Sequence, residues 1–234
     1  AVITDLIPKL LNTMEAFEQV QRQSHPGRYE ELAALLAPFV QQLEIATTRF
    51  NAQSFPEDLT PFRESIAKSA EYALRACDGI ARHDEGMGMV MKAMRAQCRA
   101  QEFIYPLSQV MTPVSQYFLE APLRGNRALI QQLQPGAERS EVGLINVGNE
   151  RQQRGGFSLF VPENLPHDAP ASLVIALHGG NGHGADFIWS WLREARSHGF
   201  LLLAPTSQMD TWSLMGEEHD LPALLSMLDY VKGH

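Results

Sequence analysis

The chain holds only two cysteines in 234 residues, Cys77 and Cys98, far apart. Two thiols make no disulfide framework, and there is no Cys-x-x-Cys pair or Cys/His cluster at zinc spacing, so a reducing, cytoplasmic compartment is expected. An excess of positive charge is also missing. Lys and Arg total 19 against 27 Asp and Glu, a net charge of −8, which gives no long-range attraction for nucleic acid or an anionic membrane. No run reaches the roughly 18 uncharged apolar residues of a membrane span. The N-terminal apolar stretch carries Asp5 and Glu15 and lacks the basic start of a signal peptide. Internal repeats and low-complexity segments are absent too.

What is present is enough apolar material for a real core, 44% of residues, at a length that the usual size prior divides into two domains. From Val2 to about Glu120 the pattern is helical. Leu6, Ile7, Leu10, Met14 and Phe17 recur at steps of three and four, and so do Leu32, Leu36, Phe39, Leu43 and Phe50. Thr60-Pro61 reads as an N-cap followed by proline at the first helical position, ahead of the stripe Phe62, Ile66, Ala70, Ala73, Cys77 and Ile80. A fourth helix carries Met87, Met91, Met94 and Cys98, read as core filler, with a groove for a partner helix as the sharper alternative. A fifth, broken by Pro106 and Pro113, reaches Phe118. The expectation is a helical bundle over residues 1–122, able to form a homodimer or bind a partner.

Residues 123–234 change texture. "VGLINVGNE", "GGFSLFVPENL", "ASLVIALHGG" and "FLLLAPTS" read as strands, and "ADFIWSWLREARSHG" and "LPALLSMLDYVKGH" as helices. Phe157, Leu159 and Val161 alternate with Ser158 and Phe160, as on a strand with unequal faces. Leu173 to Leu177 is apolar without alternation, as expected of a parallel strand buried on both faces. Phe187, Ile188, Trp191, Leu192 and Ala195 form an inward stripe, and Gly199 a C-cap. Strand and helix in alternation predict an α/β unit with a parallel sheet.

The densest signal is "LVIALHGGNGHGADF", Leu173 to Phe187, where glycines stand at 179, 180, 182 and 184. A Walker phosphate loop would continue with Lys and Ser/Thr, but Ala185-Asp186 follow. Gly180, Gly182 and Ala185 satisfy a dinucleotide fingerprint, yet the next strand ends Ala-Pro-Thr-Ser with no acid to hold a ribose. His178 and His183, with Asp186 or the "EEHD" of Glu217 to Asp220, could hold a metal only across a flexible turn; solvated or structural histidines are the expectation, and no metal or organic cofactor is implied. The remaining reading is acyl transfer. A His-Gly-Gly turn after a buried strand can aim backbone N–H groups at a developing oxyanion. Gly180 is the first candidate donor and Asn181 the second, with His178 bracing the loop.

The stretch "LVIALHGGNGHGADFIWSWLREARSHGFLLLAPTS" resembles the α/β-hydrolase superfamily, in particular the bacterial phospholipase/carboxylesterase and polyhydroxybutyrate-depolymerase-like esterases. The likeness covers roughly residues 142–234 and leaves the helical half uncovered. It implies the first half of an α/β-hydrolase sheet and a small-molecule or lipid-like carboxylic ester as substrate. "MDTWSLMGEEHD" matches the loop that passes near the pocket in such esterases, so Gly179, His183 and Trp212 are expected to line the substrate, with packing as the equal alternative for Trp212. The family's serine stands on a Gly-x-Ser-x-Gly elbow. No such motif occurs in this sequence. Serine, acid and histidine are then expected beyond His234, and the chain as given is expected to be inactive. An interaction protein built on the bundle and a nucleotide-binding α/β fold stand as alternatives.

Overall fold

A computed structural model describes residues 1–133, 142–165, 170–213 and 219–233. The chain divides into two compact units, Ala1–Tyr117 and Phe118–His234.

Unit 1 is helical: α1 (Val2–Arg22), α2 (Tyr29–Asn51), α3 (Thr60–Ala81), α4 (Met87–Ile104) and α5 (Thr112–Tyr117), joined by short 3₁₀ turns. Each of the first four packs on its neighbour in sequence, which short connections favour. Leu6, Leu10, Met14, Phe17, Leu32, Leu43, Phe50, Ile66 and Ile80 are wholly buried, each worth about 1.5–3 kcal/mol of hydrophobic stabilisation. Ala70, Ala73 and Ala76 keep the α3 face thin.

The structure corrects three details here. Thr60 is the first helical residue and caps nothing, because the 3₁₀ turn Glu57–Leu59 delivers the chain already coiled. Phe39, expected inward, is 36% exposed. In α4 the buried face is Val90, Ala93, Gln97, Ala100, Gln101 and Ile104, while Met87 and Met91 stand at 55% and 46% exposure. The small side chains take the contact because α3 lies too close for methionine.

Unit 2 follows α6 (Arg127–Gln132) with β1 (Gly143–Val147), β2 (Phe157–Val161), β3 (Leu173–Ile175), α7 (Gly184–Phe187), α8 (Leu192–His198), β4 (Leu201–Pro205) and α9 (Asp220–Gly233). The strands form one sheet in the order β1-β2-β4-β3. It is mixed: β1–β2 and β2–β4 are antiparallel, and only β3–β4, with Val174 opposite Leu202, is parallel. On one face Phe157, Leu159, Val161 and Leu203 pack with Met227, Leu224 and Leu228 of α9. α7 and α8 lie against β2 and β4.

Placement in the sheet explains where the expected faces fail. β2 sits between two strands with helices on both sides, so all its residues are buried, Ser158 and Phe160 included. Among the described residues β3 is an edge strand with one neighbour. Ile175 and Leu177 are therefore 40% and 47% exposed rather than enclosed. The helix after the glycine loop is broken by a 3₁₀ turn at Ile188–Ser190, which rotates Trp191 outward to 42% exposure. Gly199 ends α8 in the left-handed region, φ 70°, as a C-cap glycine should. No helix of the described residues is long and apolar enough to cross a membrane.

Candidate functional site

Beyond β3 the backbone makes one last sheet bond, Ala176 N–H to Leu203 O at 2.8 Å, and then leaves the sheet. A tight turn forms at Gly179–Gly182, closed by Gly182 N–H donating to Gly179 O at 3.0 Å. A Cβ on Gly182 would meet Gly179 O and the His178 Cβ at 2.8 Å, so only glycine closes it. Asn181 stands at φ 56°, in the left-handed region. That conformation turns its amide toward the connection after β4, where it donates to Asp210 O at 2.6 Å. Asn181 N–H is thus consumed within the protein and is no oxyanion donor. The amides of Gly179 and Gly180 have no partner among the described residues, both residues are exposed, and the space above them is open.

The imidazoles hold this turn in place. His178 is 3% exposed. Its Nδ1–H donates to Gly179 O at 2.7 Å, and its Nε2 accepts Ser207 N–H at 3.1 Å. Burial above all pushes its pKa below the ordinary 6.5, and the Arg154 cation lowers it further against the opposing bond to Gly179. A neutral ring is what both bonds need. His183 caps α7: Nδ1 accepts Ala185 N–H at 3.2 Å and Nε2–H donates to Gln153 O at 2.9 Å. Trp212 Nε1–H donates to His178 O at 2.8 Å and its ring leans on the His178 ring, centroids 4.9 Å apart. His183 and Trp212, expected against substrate, are structural braces whose polar atoms are already used.

The same use of ring nitrogens leaves His178 and His183 no lone pair for a metal, and no metal-holding group of His, Cys, Asp and Glu occurs among the described residues. Glu217 and Glu218 lie outside the described residues. Nor can the start of α7 cradle a pyrophosphate. The helix has four residues, and its Gly184 and Ala185 amides are bound to Thr206 Oγ1 and His183.

Several residues that sequence reasoning passed over build the support. A Cβ on Gly184 would fall 2.2 Å from Ala204 O, so glycine lets α7 rest directly on β4. Buried Asn149 donates through Nδ2 to Thr206 Oγ1 at 2.6 Å and accepts Ser158 and Ala185 N–H at 3.1 and 3.2 Å. Arg151 pairs with Asp186 at 2.8 Å. Arg154 reaches Ser207 and Gly182. The signal was the polar run "GNERQQRGG" between two strands, which reads as a plain connection until its partners are known. Ser207 is wholly buried and its hydroxyl donates to Met209 O at 2.6 Å, so it presents no nucleophile. Asp220 accepts from Gln208 N–H, Ser213 N–H and Ser213 Oγ at 2.9, 2.7 and 3.1 Å. Burial is the largest single influence on its carboxyl and raises its pKa, but those donors together hold it below the ordinary 3.8.

No family model, curated protein or solved structure matches this chain.

Proposed function

We propose that unit 2 is the oxyanion-hole half of a cytoplasmic serine hydrolase acting on carboxylic esters, of the α/β-hydrolase kind that its glycine loop resembles, with the nucleophile outside these 234 residues. The observation that carries this is the pair of amides, Gly179 and Gly180 N–H, that have no partner among the described residues, at an exposed turn in which the neighbouring donors are tied down. Preorganised donors of this kind stabilise an oxyanion more than the ground-state carbonyl.

The sheet supports the same reading. Among the described residues one edge of β3 carries no strand, and Ile175, Leu177 just beyond it, and Leu221 and Leu225 of α9 are exposed apolar side chains. A parallel strand entering after α9 by a right-handed crossover would pair with that edge. Its carboxyl end would come to lie about 5 Å from that of β3, beside the donor turn. A serine at that end would attack the ester, a histidine would take its proton, and the Gly180 amide, with Gly179 as second donor, would hold the oxyanion.

The test is labelling of the native gene product with a fluorophosphonate probe. Covalent uptake by a serine outside residues 1–234 is expected, and absence of label beside a reacting control esterase rejects the reading. The alternative of a non-catalytic interaction protein draws on one observation: Leu35 and Phe39, 52% and 36% exposed, line a groove of about 250 Å³ with Ala16 and Val20 between α1 and α2. Homodimerisation through this groove would show as a concentration-dependent mass in sedimentation, abolished by Phe39→Glu.

A further inference from the structure

The inference drawn here rests on the ester-hydrolase reading. We propose that Arg154 is a positioning residue for the oxyanion turn, fixing its distance from the end of β4 and placing a positive charge beside it. Arg154 lies in the connection between β1 and β2, far from the turn in sequence. Its Nη1 donates to Gly182 O at 3.2 Å, Nε to Ser207 O at 3.0 Å and Nη2 to Ser207 Oγ at 2.7 Å. A guanidinium holds its N–H groups in one rigid plane. Three bonds to two segments therefore lock the last carbonyl of the turn, Gly182 O, to the strand end whose Ser207 amide donates to His178.

The acceptors are all neutral. Arg151 faces Asp186 and Arg196 faces Glu163, but Arg154 forms no ion pair among the described residues. Its charge has no carboxylate partner among the described residues, and it acts on the His178 ring, where the Asp220 carboxylate opposes it. A cation there stabilises an anion forming at the Gly179 and Gly180 amides and does little for a neutral ester. The effect belongs in kcat, not KM.

Two measurements decide the matter. In the complete gene product hydrolysing p-nitrophenyl acetate, Arg154→Gln is expected to lower kcat about 100-fold, as a displaced donor does, with KM within about twofold. Arg154→Lys, which keeps the charge but not the fork, is expected to recover part of the loss. Unchanged kcat in Arg154→Gln, or lysine and glutamine variants equally impaired and equally destabilised, would reduce the residue to a structural strut and overturn the proposal. The second measurement needs no turnover: acetate is titrated into the ¹⁵N-labelled chain. The Gly179 and Gly180 amide resonances should move in the wild type and stay still in a folded Arg154→Gln protein. Identical movement in both would overturn the proposal. If the wild type fails to hydrolyse ester, the esterase reading falls, and the titration alone decides whether Arg154 positions an anion-binding turn.

Discussion

The two units use charge in opposite ways. In unit 1 the ion pairs Lys9–Asp5, Arg28–Glu31, Arg75–Glu71, Arg82–Glu85 and Arg99–Glu102 all join residues three or four apart, along one helix or across a helix end. They decorate a fold that apolar packing has already decided. In unit 2 Arg151 reaches Asp186, Arg196 reaches Glu163, and Arg154 reaches residues 28 and 53 positions away. There polar side chains add to the apolar core, stitching loops to strand ends. The lesson is that exposed local pairs contribute little, whereas a buried, long-range polar contact cannot be lost without stranding its partner.

The sharpest way to break this contrast is Glu163→Gln. It removes the carboxylate facing Arg196, which is fully buried, and should cost about 3–5 kcal/mol in urea unfolding. Arg82→Gln in unit 1 should leave the midpoint where it is, since that guanidinium is half exposed. Equal effects of the two would dissolve the distinction. Next in size is Gly184→Ala, which drives a methyl into the β4 backbone and should destabilise by about 3 kcal/mol.

A smaller effect is expected from pH. The folded chain binds the His178 proton less tightly than the unfolded chain does, because the folded pKa lies below the ordinary 6.5. The corresponding stability is complete above that value and declines as pH falls below it. Urea midpoints measured over about pH 7.5 to 5 should fall for the wild type and fall less for His178→Gln. A steeper fall in the variant would contradict the buried neutral ring. Smallest of all, Gly88→Ala on α4, where a Cβ meets nothing, should stabilise by about 0.5 kcal/mol through helix propensity.

Legibility followed the same division. Steps of three and four located every long helix of unit 1, since a helix buries a stripe that is local in sequence. Even there the sequence misjudged α4, where rotation by about one residue exchanges Met87 and Met91 for Val90 and Ala93 at the interface. In unit 2 the apolar runs of β2, β3 and β4 were legible as strands, but not their places in the sheet. The central strand buries Ser158, and the edge strand leaves Ile175 half in water. For the site, the glycine loop stood out at once, and the Gly180 amide has no partner among the described residues. Asn181, His183 and Trp212 did not keep their expected places, because Asp210, Gln153 and His178 claimed their polar atoms.

By itself, the amino-acid order determined which segments coil and which extend, the separation into a helical and an α/β half, and the presence of a glycine turn after a strand. These depend on periodicity and backbone sterics within a dozen residues. Only the tertiary structure decided which turn amides have no partner among the described residues and which arginine binds the turn at Gly182. A hydrogen bond between segments tens of residues apart leaves no periodic trace in the sequence, and each buried donor must still find an acceptor somewhere.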